Sequence, residues 1–383
     1  MKMNKLGSHF VKDQLFSFHV LMPLLMLVSL GLVYLPFGFS QVGLIEEWGA
    51  LGFFTEYGPL YFVTKYSHMA QTRMRPLHML PQSIGYRLDT DSFFYWHLLQ
   101  FLFIWLKGVA MGSILWWLYS QRGIAILGAL LLMLYPADTM QLAIRSININ
   151  GAVTSAICAV ACLLWATEVK NLWARAILAS FAGVLFFCAS LLYEAAFFLA
   201  PTPLILWWAK YGMHEGWRAL KTQKLVLCCW LASILMELGY LYWLSFELDP
   251  YTSHLNNTPW NTLKIIFQNS PMLLKVGFYR TFLHSWYDAG RMLLSGGKWV
   301  AFLPIAVPSI LLLVLYLSAK NADLGKKISR KDPGFLTRWF VASILITALG
   351  YAPYLALVTH HRITQRTYLF AAIEEGHCFA LRL

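Results

Sequence analysis

Charge is what this sequence has least of. Asp, Glu, Lys and Arg make up 13% of its 383 residues, against 58% hydrophobic, and the mean hydropathy is +0.56. A soluble domain carries roughly a quarter of its residues as charges, so water is the wrong solvent for this chain. Acids are scarcer still than bases, 18 to 30, which leaves a net charge of +12. That surplus suggests nucleic acid, but the Lys and Arg fall in short runs between apolar segments and form no continuous basic face. The bilayer and its anionic lipids are therefore the partners expected, and nucleic acid is not.

No cysteine pair has metal-ligand spacing accompanied by His. Of the six Cys, five (Cys158, Cys162, Cys188, Cys228 and Cys229) lie in apolar segments, where they read as small packing residues. No metal site is assigned, although a divalent ion stays open and the cofactor is unknown. The chain also lacks internal repeats, low-complexity tracts and a soluble appendage, which counts against a symmetric transporter with inverted halves. It lacks a small-x-small cleavage site after the basic start (Lys2, Lys5, Lys12), so the first apolar run is expected to be a retained helix.

What the sequence does have is long charge-poor runs. About 20 apolar residues span the hydrocarbon as a helix, and such windows fall near 16–38, 93–119, 123–137, 147–167, 176–193, 195–209, 225–246, 299–318 and 339–358. The expectation is an all-α polytopic membrane protein, a single transmembrane domain over 1–383 with about nine helices. Trp116-Trp117 and Trp207-Trp208 fall at helix ends, where indoles favour the headgroup level. The Lys and Arg of the short loops share one face with the N-terminus, which makes that face cytoplasmic by the positive-inside rule. Two long segments, 39–92 and 247–298, become the extracytoplasmic loops, and Trp260–Phe278 reads as an amphipathic surface helix. Thr367–Ile373 resembles the start of another helix, cut short by Glu374-Glu375-Gly376-His377, as in a truncated chain.

Candidate chemistry gathers on the extracytoplasmic side. Glu46 and Glu47 follow the first span directly, where a carboxylate can serve as base toward a hydroxyl; two acids can also simply end a helix there. Arg73, Arg75 and Arg87 follow in the same loop with Asp89 and Asp91, and a guanidinium fork suits phosphate, or a neighbouring acid. Arg145, in the short loop before the fourth span, needs an anion, and Glu194 between the fifth and sixth spans is one structural partner for it. His97 and His360-His361 read as interfacial residues. Arg362 and Arg366 share a face if helical, and Lys107 and Glu237 lie inside spans, where they can snorkel, pair or line a cavity.

The order of these features resembles the C-type (GT-C) family of integral membrane glycosyltransferases, in particular its protein O-mannosyltransferase-like branch. The acidic pair Glu46-Glu47, Arg75-Pro76, Tyr95-Trp96-His97, Ile144-Arg145, Leu192-Tyr193-Glu194 and Arg366-Thr367-Tyr368-Leu369 carry the likeness, with Glu-Glu where that family often has Asp. The resemblance implies a GT-C-like fold and a sugar moved from a polyprenyl-phosphate donor to a glycan, lipid or protein acceptor, with inversion at the sugar carbon. It implies Glu46 or Glu47 as base and Arg75, Arg145 and Arg366 on the donor phosphate. His97, Glu194, Arg362 and Tyr368 would be supporting residues. A bacterial inner membrane with a cytoplasmic N-terminus is the expected setting. Two other classes fit the same composition: a transporter or flippase with Lys107, Glu194 and Glu237 on its pathway, and a non-catalytic envelope assembly protein.

Overall fold

The computed structural model describes residues 4–35, 45–64, 75–134, 143–244, 259–272 and 334–355, with a few single positions between them and side chains from Phe18 onward. All regular structure among the described residues is helical. The chain forms α1 (Asn4–Tyr34), three short helices α2 (Ile45–Tyr57), α3 (Tyr61–Thr64) and α4 (Leu80–Leu88), then α5 (Phe94–Tyr119) and α6 (Arg122–Met133). A 3-10 turn (Ile144–Ser146) leads into α7 (Ile147–Ala166), followed by α8 (Leu172–Leu192), a second 3-10 turn (Glu194–Leu199), α9 (Thr202–Thr222), α10 (Lys224–Leu244) and α11 (Pro259–Met272). The last described helix, α12, is Phe335–Leu355.

Among the described residues, five helices are long and apolar enough to cross a membrane: Phe94–Tyr119, Ile144–Ala166, Leu172–Leu192, Lys224–Leu244 and Phe335–Pro353. Phe18–Tyr34 and Arg122–Met133 are shorter apolar helices that match the first and third expected spans. The expected span at 195–209 is divided. Pro201 and Pro203 lack the N–H groups that would continue a helix through them, so a 3-10 turn ends at Leu199 and α9 begins at Thr202. The span at 299–318 lies outside the described residues. Much of the described part of the 39–92 loop is helical, as α2, α3 and α4.

The bundle is built around α7. Its Gly151, Ala152, Ala156 and Ala159 let neighbouring backbones approach, and it packs against α4, α5, α8, α9 and α10. Phe18 stacks on Trp116 at 4.5 Å and Tyr34 meets Phe101 at 5.6 Å, so α1 runs antiparallel to α5. Asn171 caps α8 by accepting from the Trp173 and Ala174 N–H groups. Gly183 lets α8 approach α10, since a Cβ there would sit 3.0 Å from the Cys229 carbonyl oxygen. One member of each tryptophan pair turns inward: Trp117 and Trp207 are buried and face each other at 5.9 Å, while Trp116 and Trp208 are half-buried. The most exposed of the described indoles are Trp173 and Trp260, at 80% and 77%.

Helices of alternating direction give the bundle two polar ends. One carries Tyr34, α2–α4, the start of α5 and α7, and Glu194. The other carries Tyr119, Glu168, Lys210 and the start of α12.

Candidate functional site

The Glu194 end collects most of the residues singled out in the sequence. Arg75 and Glu194, 119 positions apart, form a bidentate ion pair through Nε and Nη2. The guanidinium carbon also lies 4.0 Å from the centre of the Tyr193 ring. Glu194 therefore has Arg75 as an ion-pair partner, a pairing that the sequence did not point to. The reason is packing: the turn that follows Arg75 docks on the end of α8, where the Leu77 N–H donates to the Leu191 carbonyl at 3.2 Å. That bond satisfies one of the carbonyls a helix leaves open in its last turn.

His78 completes this turn. The Asn148 side-chain amide donates to its imidazole at 2.6 Å, tying the turn to the first residues of α7. Burial, with the Arg75 charge beside it, pushes the His78 pKa down to about 3, so the ring is neutral at physiological pH. Neither His78 nor Asn148 reads as a site residue in the sequence, though His78 follows the pair Arg75-Pro76 by two positions and Asn148 follows Ile144-Arg145 by three. Nothing local distinguishes them, because their partner is 70 positions away.

Glu47 sits in the first turn of α2, a favourable position for an anion at a helix N-terminus. It is 4% exposed, and both carboxylate oxygens are buried with no hydrogen-bond partner among the described residues. α2 packs on α4 and on the 3-10 turn that carries Arg145. The neighbouring core is aromatic, with Trp48 edge-on to Phe93 at 4.9 Å and Phe54 against Trp96 at 6.2 Å. Glu46 precedes Glu47 in the same helical turn, but its side chain is outside the described residues.

His97, expected at an interface, is only 1% exposed, and its Nδ1 lies 3.1 Å from the Tyr34 hydroxyl. This contact joins the end of α1 to the start of α5 beside the polar cluster. Asp89 belongs to the turn before α5: Ser92 Oγ donates to its carboxylate and the Asp91 N–H adds a second bond at 3.0 Å, which together hold its carboxyl below the usual range. Lys107 and Glu237 are each 1% exposed, so neither snorkels to the interface. Arg73, His360, His361, Arg362, Arg366 and Tyr368 lie outside the described residues. Among the described residues no three His, Cys, Asp or Glu are grouped to hold a metal ion.

The opposite end is built differently. Glu168, in the α7–α8 turn, accepts from Trp117 Nε1 at 2.9 Å and from Lys210 Nζ and the Tyr211 hydroxyl at 3.4 Å each. The Lys210 ammonium lies 3.6 Å from the Trp117 ring centre, a cation–π contact that joins α5 to α9. Its acid, base and rings are thus engaged with one another.

No family model, curated protein or solved structure matches this chain.

Proposed function

We propose that the protein is an integral membrane glycosyltransferase that takes a sugar from a polyprenyl phosphate at the Glu194 end of the bundle, on the extracytoplasmic side of a bacterial inner membrane. The observation that carries this reading is Glu47: a buried carboxylate without a described hydrogen-bond partner, on a helix packed against the Arg145 turn. Burying a polar group without hydrogen bonds is costly, and such a group in a folded protein calls for an explanation such as a catalytic role or a bound ion or water.

In this reaction an acceptor hydroxyl attacks the anomeric carbon and gives its proton to Glu47. The bond from that carbon to the phosphate oxygen breaks, and polyprenyl phosphate leaves with the electron pair. Arg145 and Arg75 stabilise the leaving phosphate, with Glu194 and Tyr193 holding the Arg75 fork in place between turnovers. Arg366, Arg362 and Tyr368 would add contacts from the far end of the chain, and Glu46 would be the alternative base. The polyprenyl tail needs an apolar path, which the lipid-facing sides of the long helices supply.

The buried Lys107 and Glu237 favour a second reading, transport of a lipid-linked or small substrate through the bundle. One experiment separates the two. Purified protein is incubated with a panel of polyprenyl-phosphate sugars, and free polyprenyl phosphate is followed for the wild type and for Glu47→Gln. Release by the wild type that is lost in the variant supports transfer. Movement of label across sealed vesicles without a covalent product supports transport instead.

A further inference from the structure

At the Glu168 end, we infer that the second half of α9, with the adjoining helix ends, forms a binding surface for the headgroups of anionic phospholipids. α9 is broken at Gly212, whose φ of 74° and ψ of −177° lie where only glycine is comfortable. Residues 213–222 therefore form a second helix with its own direction. Two contacts hold that break: Trp207 Nε1 donates to the Gly216 carbonyl at 3.0 Å, and Arg338 Nε donates to the Ala209 carbonyl at 3.4 Å.

This ten-residue helix is amphipathic in an unusual sense. Its protein-facing side is small and apolar, with Gly216 buried and Ala219 and Leu220 half-buried. Its outward side mixes bulky apolar groups with bases: Met213 is 75% exposed and Trp217 61%, alongside exposed Arg218 and Lys221. Met213, Trp217 and Lys221 are four apart and share one stripe, and the Lys221 ammonium lies 5.6 Å from the Trp217 ring centre. A helix of this composition lies in the interface plane, with its indole at the acyl boundary and its bases among the phosphates.

The basic surface extends beyond the helix. Gln223 Nε2 donates to the Thr167 carbonyl at 3.4 Å, which places the α7–α8 turn and its exposed Lys170 alongside, and exposed Lys224 opens α10. Of the acids nearby, Glu168 is engaged by Trp117, Lys210 and Tyr211, and Glu215 is exposed. Charge complementarity calls for an anion. Its identity as a lipid follows from what flanks it: Leu172 and Ile177 on α8 are 64% and 69% exposed, so the occupant must continue from a phosphate into acyl chains.

The test is native mass spectrometry of the full chain in detergent with phosphatidylglycerol or phosphatidylcholine of equal chain length. The wild type should retain phosphatidylglycerol preferentially, and the Arg218→Gln/Lys221→Gln/Lys224→Gln variant should lose that preference by about fivefold for each base that meets a headgroup. Arg87→Gln at the other end should leave it unchanged. Rising salt should erase the wild-type preference, a readout that does not depend on the triple variant folding. Equal retention of the two lipids by the wild type, or an unchanged preference in a folded triple variant, would overturn the inference.

Discussion

The two ends of the bundle hold their charges in opposite ways. At the Glu168 end, one carboxylate is shared by an indole, a phenol and an ammonium that also rests on the same indole ring. At the Glu194 end, one carboxylate locks an arginine while another, Glu47, is buried without a described hydrogen-bond partner. A satisfied network rigidifies, whereas an unsatisfied buried group raises the energy of the folded chain until something binds it. The first arrangement suits a structural joint and the second suits a site.

The sharpest way to break this contrast is Glu47→Gln. Transfer should fall about 10²–10⁴-fold, the usual worth of a general base, while the thermal midpoint in detergent should hold or rise, because a buried charge has been removed. A fall in both would make Glu47 structural and erase the difference between the ends. Next in size are Arg75→Ala and Glu194→Ala, each of which strands a partly buried charge. Each should cost about 2–3 kcal/mol, somewhat below a fully buried pair, with the Arg75→Leu/Glu194→Leu double variant less damaging than either single in thermal unfolding.

Gly212→Ala tests the other end. It should destabilise by about 1–3 kcal/mol by forcing a Cβ into a left-handed conformation, and circular dichroism during thermal unfolding would register it. His78 gives the Glu194 end a pH signature. Its folded pKa lies near 3, below the ordinary 6.5, so the unfolded chain binds its proton first as pH falls. Stability from this group is complete above about pH 6.5 and declines toward pH 3; His78→Gln should flatten that part of the midpoint-against-pH profile. The smallest effect expected is that of Glu168→Gln, which keeps an acceptor for Trp117 and removes only the Lys210 ion pair. About 0.5–1 kcal/mol is expected because Glu168 is open to solvent.

The sequence announced the long apolar helices, since length and hydropathy are properties of a segment alone. It did not announce which helix is the core. α7 and α10 have the same mean hydropathy, 1.8, yet 83% of the α7 window is buried and only 22% of that of α10. A residue facing lipid and one facing protein are equally apolar, and only the small residues of α7 hint at the difference. Partnerships were less legible still. Arg75 reads in the sequence as a cation suited to a phosphate or to a neighbouring acid of its own loop, and its pairing with the distant Glu194 depends on how the turn docks on α8. Of the adjacent acids Glu46 and Glu47, sequence gave no ground for preferring one. The burial of Glu47 comes from α2 folding back over the start of α5, inside a stretch expected to be loop.

The Arg75–Glu194 pair also sets a timetable for biosynthesis. The two residues are separated by 119 positions, so at about 5–20 residues per second the arginine waits roughly 6–24 s for its partner to leave the ribosome. During that interval the chain of α5, α6, α7 and α8 is made. Only once Glu194 has been made can the Arg75 fork close on it and the turn be pinned to α8, so this contact belongs to the late stage of folding.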